Sequence, residues 1–271
     1  MFEFLEYLAS GQLTPGEAEL AYNLTVIYGL SILSMVVVYK LLNPQRPQST
    51  SSPSSPIESI KSTIPSPEST LALLKARRSI MPKDLTGEKL TREEVEMVLE
   101  AANWAPTHHK TEPWRYTVIE GSEEISEYLD MLETWYSDHK EDISEADYEQ
   151  FEKKLSGARS TWPHNVSHLV VIAMARQALP DKKLPEWEEI SAVACSVQNL
   201  HLALTSVERA GGFWSSHTWC RMFRDSQEMR DFLGLKDKED RVLGAFVMGK
   251  VLEGKTFKGK RRDWMEKVTW K

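Results

Sequence analysis

Cysteine is nearly absent: Cys195 and Cys220 are the only two among 271 residues. Two sulfurs outside any C-x-x-C pair support neither a disulfide framework nor a cysteine-rich zinc site. Positive charge is also short, with 33 Lys and Arg against 40 Asp and Glu and a formal net charge of −7. A chain of that sign lacks the basic face that phosphate backbones require, so nucleic acid is not an expected partner. The basic run at 255–262 is the one local exception. Also missing are a Ser-His-Asp order, a P-loop and a G-x-G-x-x-G fingerprint, which removes the commonest hydrolase and nucleotide-binding classes. Internal repeats are lacking, and so are long apolar runs, apart from one.

That run, LTVIYGLSILSMVVVYKLL at 24–42, carries no charge before Lys40. At ~1.5 Å per residue it matches a hydrocarbon core of ~30 Å, and it predicts one transmembrane helix. A buried core helix has the same composition, but the next stretch of chain is low-complexity sequence rather than a packing partner. The preceding flank (1–23) holds Glu3, Glu6, Glu17 and Glu19 without Lys or Arg, unlike the basic start of a cleaved signal. Lys40 at the end of the span and Arg46 and Lys61 beyond it carry the nearby positive charge, so the positive-inside rule places the rest of the chain in the cytosol. Asn165-Val166-Ser167 is a glycosylation acceptor that would report a lumenal placement instead. Residues 43–68, rich in Ser, Thr and Pro, bury too little apolar area to order themselves and read as a disordered linker with a coil reach of ~30 Å.

The remainder, 69–271, has the 41% hydrophobic content of an ordinary folded chain behind it. Helical patterning appears at 69–77, 91–104, 122–160 and 187–210. In the last, Ile190, Val193, Val197, Leu200, Leu204 and Val207 recur every three or four residues and draw one apolar stripe down a central helix. Strand-like runs fall at 115–119, 168–174 and 241–251. Helices between non-adjacent strands predict an α+β domain with a covered sheet.

Four separated segments carry the chemistry: Arg77-Arg78-Ser79 at a helix end, the loop APTHHKTEPW at 105–114, Gly211-Gly212-Phe213-Trp214-Ser215-Ser216, and Lys260-Arg261-Arg262. Singly, each has an ordinary reading as a solvated helix end, a rigid loop, a tight turn into a strand, or a solubilising face. In this order and spacing, they resemble the FMN-dependent nitroreductase family across 69–271. The resemblance implies a mixed central sheet flanked by helices in a domain-swapped homodimer, with FMN at the subunit interface. It also implies that 267–271 (KVTWK) adds a strand to the other subunit's sheet.

Carried over residue by residue, the resemblance gives Arg77, Arg78 and Ser79 to the phosphate and ribityl groups. Arg261 and Arg262 close the phosphate from the C-terminal end. Thr107, His108, Lys110 and Glu112 border the flavin ring. Trp214, Ser215 and Ser216 flank it, with Ser216 as the donor to flavin N5. Guanidinium groups suit a phosphate of about −1.5 to −2 charge. Three positions depart from the family: Lys110 stands where Asn is usual, Glu112 where Gln is usual, and Met81 where many members carry Arg or Lys. Glu112-Pro113-Trp114 recurs in the iodotyrosine deiodinase branch. His108 and His109 are adjacent and diverge, so no metal is expected there.

The implied activity is ping-pong reduction of a nitroaromatic, quinone or similar small acceptor by NAD(P)H through FMN. Two alternatives are a reductive dehalogenase of the deiodinase type and a non-catalytic, membrane-tethered flavin-binding or interaction module. The family's variable lid falls on 122–162, where Trp135, Tyr136, Tyr148 and Trp162 either sandwich an acceptor or pack a helix pair.

Overall fold

A computed structural model describes residues 64–177 and 183–271. The predicted span at 24–42, its preceding flank and the linker up to residue 63 lie outside the described residues. Among the described residues no helix is long and apolar enough to cross a membrane. The compact unit is Pro65–Lys271. Its first helix, α1 (Pro67–Ala76), begins within the stretch expected to be linker, because Ser66 caps it by accepting from the backbone N–H of Ser69 and Pro67 supplies a preset first turn.

Helix α2 (Arg92–Asn103) opens on a reciprocal capping box between Thr91 and Glu94. Strand β1 (Trp114–Glu120) leads into α3 (Ser122–Asp138), α4 (Glu145–Arg159) and the single turn α5 (Trp162–Asn165). Strand β2 (His168–Met174) is followed by α6 (Glu186–Ser206), β3 (Ala210–Ser215), the short helices α7 (Arg221–Arg224) and α8 (Gln227–Phe232), and β4 (Arg241–Lys250). The patterned stretch 122–160 is thus two helices, broken where Ser144 caps α4 on the N–H of Asp147.

The sheet order is β1-β2-β4-β3, and every neighbouring pair is antiparallel. The expectation of a mixed sheet needs correction for the single chain: its one parallel element among the described residues is the isolated bridge of Ser79 to Gly212. All seven residues of β2 are buried, since each face of the sheet is covered. Val170, Ile172 and Met174 point with Phe246 and Met248 into the layer of α2 and α6, where Val193, Val197, Leu200 and Leu204 supply the predicted stripe. Leu169, Val171, Ala173, Ala245 and Val247 point the other way, toward Leu129, Leu132, Phe151 and Phe223. Alternation of period two in the strands and spacing of three to four in α6 therefore build two cores around one sheet.

Candidate active site

Arg77 terminates α1 as its C-cap, and the chain then runs alongside β3, with the N–H of Ile80 donating to the carbonyl of Gly212 at 2.9 Å. This puts Arg77, Arg78 and Ser79 against Gly211-Gly212. A Cβ at Gly211 would come within 2.7 Å of the Ile80 side chain, so the close approach of the two segments depends on glycine. The third predicted element arrives from the C-terminal tail. Arg261 lies close enough to Arg77 that, with Arg78 and partial burial, it holds the Arg77 guanidinium below its ordinary pKa; burial is the largest cause. Three guanidinium groups gathered without a carboxylate among them repel one another, and an anion relieves that repulsion.

The three arginines do different work. The guanidinium of Arg78 donates from Nε to the carbonyl of Phe257 at 3.1 Å and from Nη1 to the carbonyls of Lys75 and Arg77. It thereby clips the tail onto the end of α1. Gly259 passes directly over this group, where a Cβ would overlap Nη2. Arg261 is exposed and donates only to the carbonyl of Lys260, its neighbour, which leaves its remaining donors for an anion. Arg262 is exposed as well, and no contact among the described residues ties it to the arginine cluster.

A residue that sequence reasoning missed stands behind this cluster. His201 of α6 is buried, donates from Nε2 to the carbonyl of Arg78 at 2.9 Å and presents Nδ1 to Nη1 of Arg77 at 3.4 Å. The available signal was its place among Val197, Leu200 and Leu204, a polar side chain on an apolar stripe.

The loop of residues 107–112 is elsewhere. Thr107 Oγ1 meets Thr111 Oγ1 at 2.9 Å and accepts from the N–H of Glu112 at 3.2 Å. His109, Lys110 and Glu112 all take positive φ, a strained arrangement for residues other than glycine. His108 pairs with Glu188 near the start of α6, 2.6 Å from Nδ1 to the carboxylate, and its ring stacks on His109 at 4.2 Å, so the two side chains do not diverge as expected from their adjacency. Glu188 and His201 lie ~20 Å apart along the helix axis. One chain therefore does not bring Thr107, His108, Lys110 and Glu112 onto the arginine cluster; the exposed side chains of Lys110 and Glu112 face outward.

Strand β3 separates two cavities. Phe213 and Ser215 face one of about 640 Å³, bounded also by Met81, Lys83, Trp162 and Trp219. Trp214 and Ser216 face another of about 840 Å³, with Arg224, Arg230 and Leu243. The β3 end is fixed tightly. Trp214 Nε1 donates to the carbonyl of Leu243 at 2.9 Å, and Arg224 Nη1 donates to the carbonyl of Ser216 at 2.9 Å. Leu243 is the extra residue where the β2–β4 register shifts. Gly244 beside it has φ 106°, and a Cβ there would overlap the Ser215 carbonyl. The bulge and the glycine together leave the Ser216 side chain exposed at the strand's end.

Trp135, Tyr136, Tyr148 and Trp162 are the aromatics proposed for an acceptor sandwich. Tyr136 and Trp162 are core residues, and Trp135 and Tyr148 pack against that core. The Tyr136 ring lies flat on Phe151 at 3.6 Å, so these aromatics chiefly join α3 to α4.

A profile of the Nitroreductase family matches residues 74–250. The described fold also superposes on a nitroreductase-like protein from Bacillus cereus, with a TM-score of 0.55 and 20% identity over 74% of this chain and 94% of that one. A second solved structure, a Bacteroides fragilis nitroreductase with bound FMN, gives a TM-score of 0.51 at 21% identity over 71% of this chain and 94% of that one. Among sequences, a candidate NAD(P)H nitroreductase of Haemophilus influenzae is 29% identical over 189 residues, 68% of this chain and 89% of its own. The chain belongs to the nitroreductase family.

Proposed function

We propose that this protein is an FMN-dependent NAD(P)H oxidoreductase that reduces nitroaromatic, quinone or similar small acceptors. The observation that carries the reading is the meeting of Arg77, Ser79, Gly212 and Arg261, from three distant parts of the chain, in an anion cradle of the kind a flavin phosphate needs. The residues present fit that group: two guanidinium groups with free donors, a hydroxyl, and a glycine pair that lets a planar ligand approach the backbone. FMN, held there, would supply the redox chemistry that links NAD(P)H oxidation to reduction of the acceptor.

The chain's own tasks are binding and orientation. Arg77 and Arg261 neutralise the phosphate, while Arg78 holds the tail that delivers Arg261. The Ser216 hydroxyl, exposed at the end of β3, is the donor to flavin N5. The ~20 Å between the cradle and the loop of Thr107 and His108 is spanned in a homodimer, in which the loop of a second copy closes over the ring. The same arrangement lets 267–271 add a strand to the other subunit's sheet. The segment 24–42 tethers the enzyme to a membrane with the catalytic unit in the cytosol.

The full-length chain, purified in detergent from a flavin-sufficient host, should be yellow, should bleach anaerobically with NADH or NADPH, and should recover its colour on addition of a nitroaromatic or quinone. A folded protein that stays colourless and takes up no FMN at micromolar concentrations refutes the reading. Turnover of a halotyrosine in place of the nitroaromatic assigns the enzyme to the dehalogenase alternative. Arg261→Ala should weaken FMN binding by roughly tenfold or more, because a charge-assisted hydrogen bond contributes roughly 1.5–3 kcal/mol.

A further inference from the structure

Among the described residues, His201 is the one buried titratable side chain that contacts both arginines of the R-R-S segment. Because Nε2 donates to the Arg78 carbonyl, the neutral ring has its lone pair on Nδ1, the atom that faces Arg77. Packing holds the ring in place, edge-on to Phe246 with centroids 4.9 Å apart. Burial pushes its pKa down to about 4, with the Arg77 charge adding to the effect. A protonated ring would lose the acceptor and oppose the guanidinium, so neutrality is a condition of the arrangement.

We propose that His201 is the positioning residue of the anion cradle, orienting the Arg77 guanidinium through Nδ1 and pinning the Arg78 peptide through Nε2. Affinity for a phosphate-bearing flavin then depends on a helix side chain acting through Arg77. The inference rests on the FMN reading given above. A merely structural role, tying α1 to α6, predicts a different pattern, because it would weaken every flavin alike.

The test compares FMN with riboflavin, which shares the ring and ribityl chain and lacks the phosphate. Both dissociation constants are measured by fluorescence quenching on the full-length protein as wild type, His201→Phe, His201→Gln, Arg77→Gln and the His201→Phe/Arg77→Gln double variant. His201→Phe should weaken FMN about tenfold and leave riboflavin within about twofold. Gln, which offers one donor and one acceptor, should restore most of the loss. In the Arg77→Gln background, His201→Phe should cost little more, since contacting residues couple. His201→Leu replaces the Phe variant if the latter does not fold.

Equal weakening of FMN and riboflavin overturns the proposal, as does a full additional loss in the double variant. Failure of the underlying reading is distinct. If the wild type itself binds no FMN, the flavin assignment falls and takes this inference with it. If the wild type binds FMN and His201→Phe matches it, only the role of His201 falls.

Discussion

At the scale of single residues, His217 shows how much the site's surroundings invest in burial. It is 1% exposed, takes a left-handed φ of 53°, and packs beside the rings of both Trp162 and Trp219. Its Nε2 has no hydrogen-bond partner among the described residues, while Nδ1 faces the Tyr128 hydroxyl at 3.4 Å. Burial, then the nearby Arg224 charge, push its pKa down to about 4. The unfolded ring takes a proton near 6.5 and the folded ring resists it, so this contribution to stability is whole above about pH 6.5. It drains away as pH falls toward 4, for a loss of about 3 kcal/mol from this group. His201 acts in the same direction. Thermal melts between pH 7.5 and 4 should show the fall, and His217→Asn, which tolerates the backbone conformation, should flatten it. None of this was legible in the sequence, where His217 is one of seven histidines and its cage comes from α5 and the turn after β3. The arginines and Ser216 were singled out through family resemblance, and the fold brings Arg261 near Arg77.

At the scale of elements, helices with an internal period were readable, and interruptions of them were not. Helical patterning at 91–104 located α2 from sequence, and the Thr91–Glu94 capping box seen in the fold supplies its start. By contrast, 122–160 has one continuous charged pattern, in which the break before the Ser144 cap and the stacking of Tyr136 on Phe151 across it are visible only in the fold. Strand β3 is legible only as a strand entrance, since Gly-Gly has poor strand propensity and the strand is held by pairing with β4. The loop at 107–112 is the element most at odds with local preference, with three non-glycine residues at positive φ. A β-branched residue there should be poorly tolerated. Lys110→Val should lower stability by about 1–2 kcal/mol, whereas Lys110→Gly should not lower it, as read from urea midpoints at constant slope. A loss of stability with Gly equal to that with Val would show that the side chain matters and the backbone does not.

At the scale of the whole molecule, the single chain leaves large aromatics uncovered. Trp104, Trp187, Trp264 and Trp270 are 79%, 66%, 61% and 84% exposed. Trp104 lies just beyond α2 and Trp187 in the first turn of α6, beside the Thr107–His108 loop that is separated from the arginine cluster. The last two sit in the tail, where 268–271 has no regular structure. The proposed homodimer would cover these rings and bring the loop of one copy toward the arginine cluster of the other. Removing 267–271 should therefore shift the protein toward monomer in sedimentation velocity and weaken FMN retention together. A truncated protein that remains dimeric and fully yellow contradicts this role for the tail. A site shared between two copies could be expected from sequence only through family resemblance, because nothing in spacing says which residues meet across two chains.

The clip of Arg78 on the Phe257 carbonyl couples two ends of the fold. The same side chain closes α1 and fastens the tail, so order in the tail is linked to order in the cradle. A ligand held by Arg77 and Arg261 should therefore slow digestion of the tail by carboxypeptidase, because it favours the docked tail. The rate at which the tail is digested, with and without added FMN, would then report whether the proposed cradle is filled.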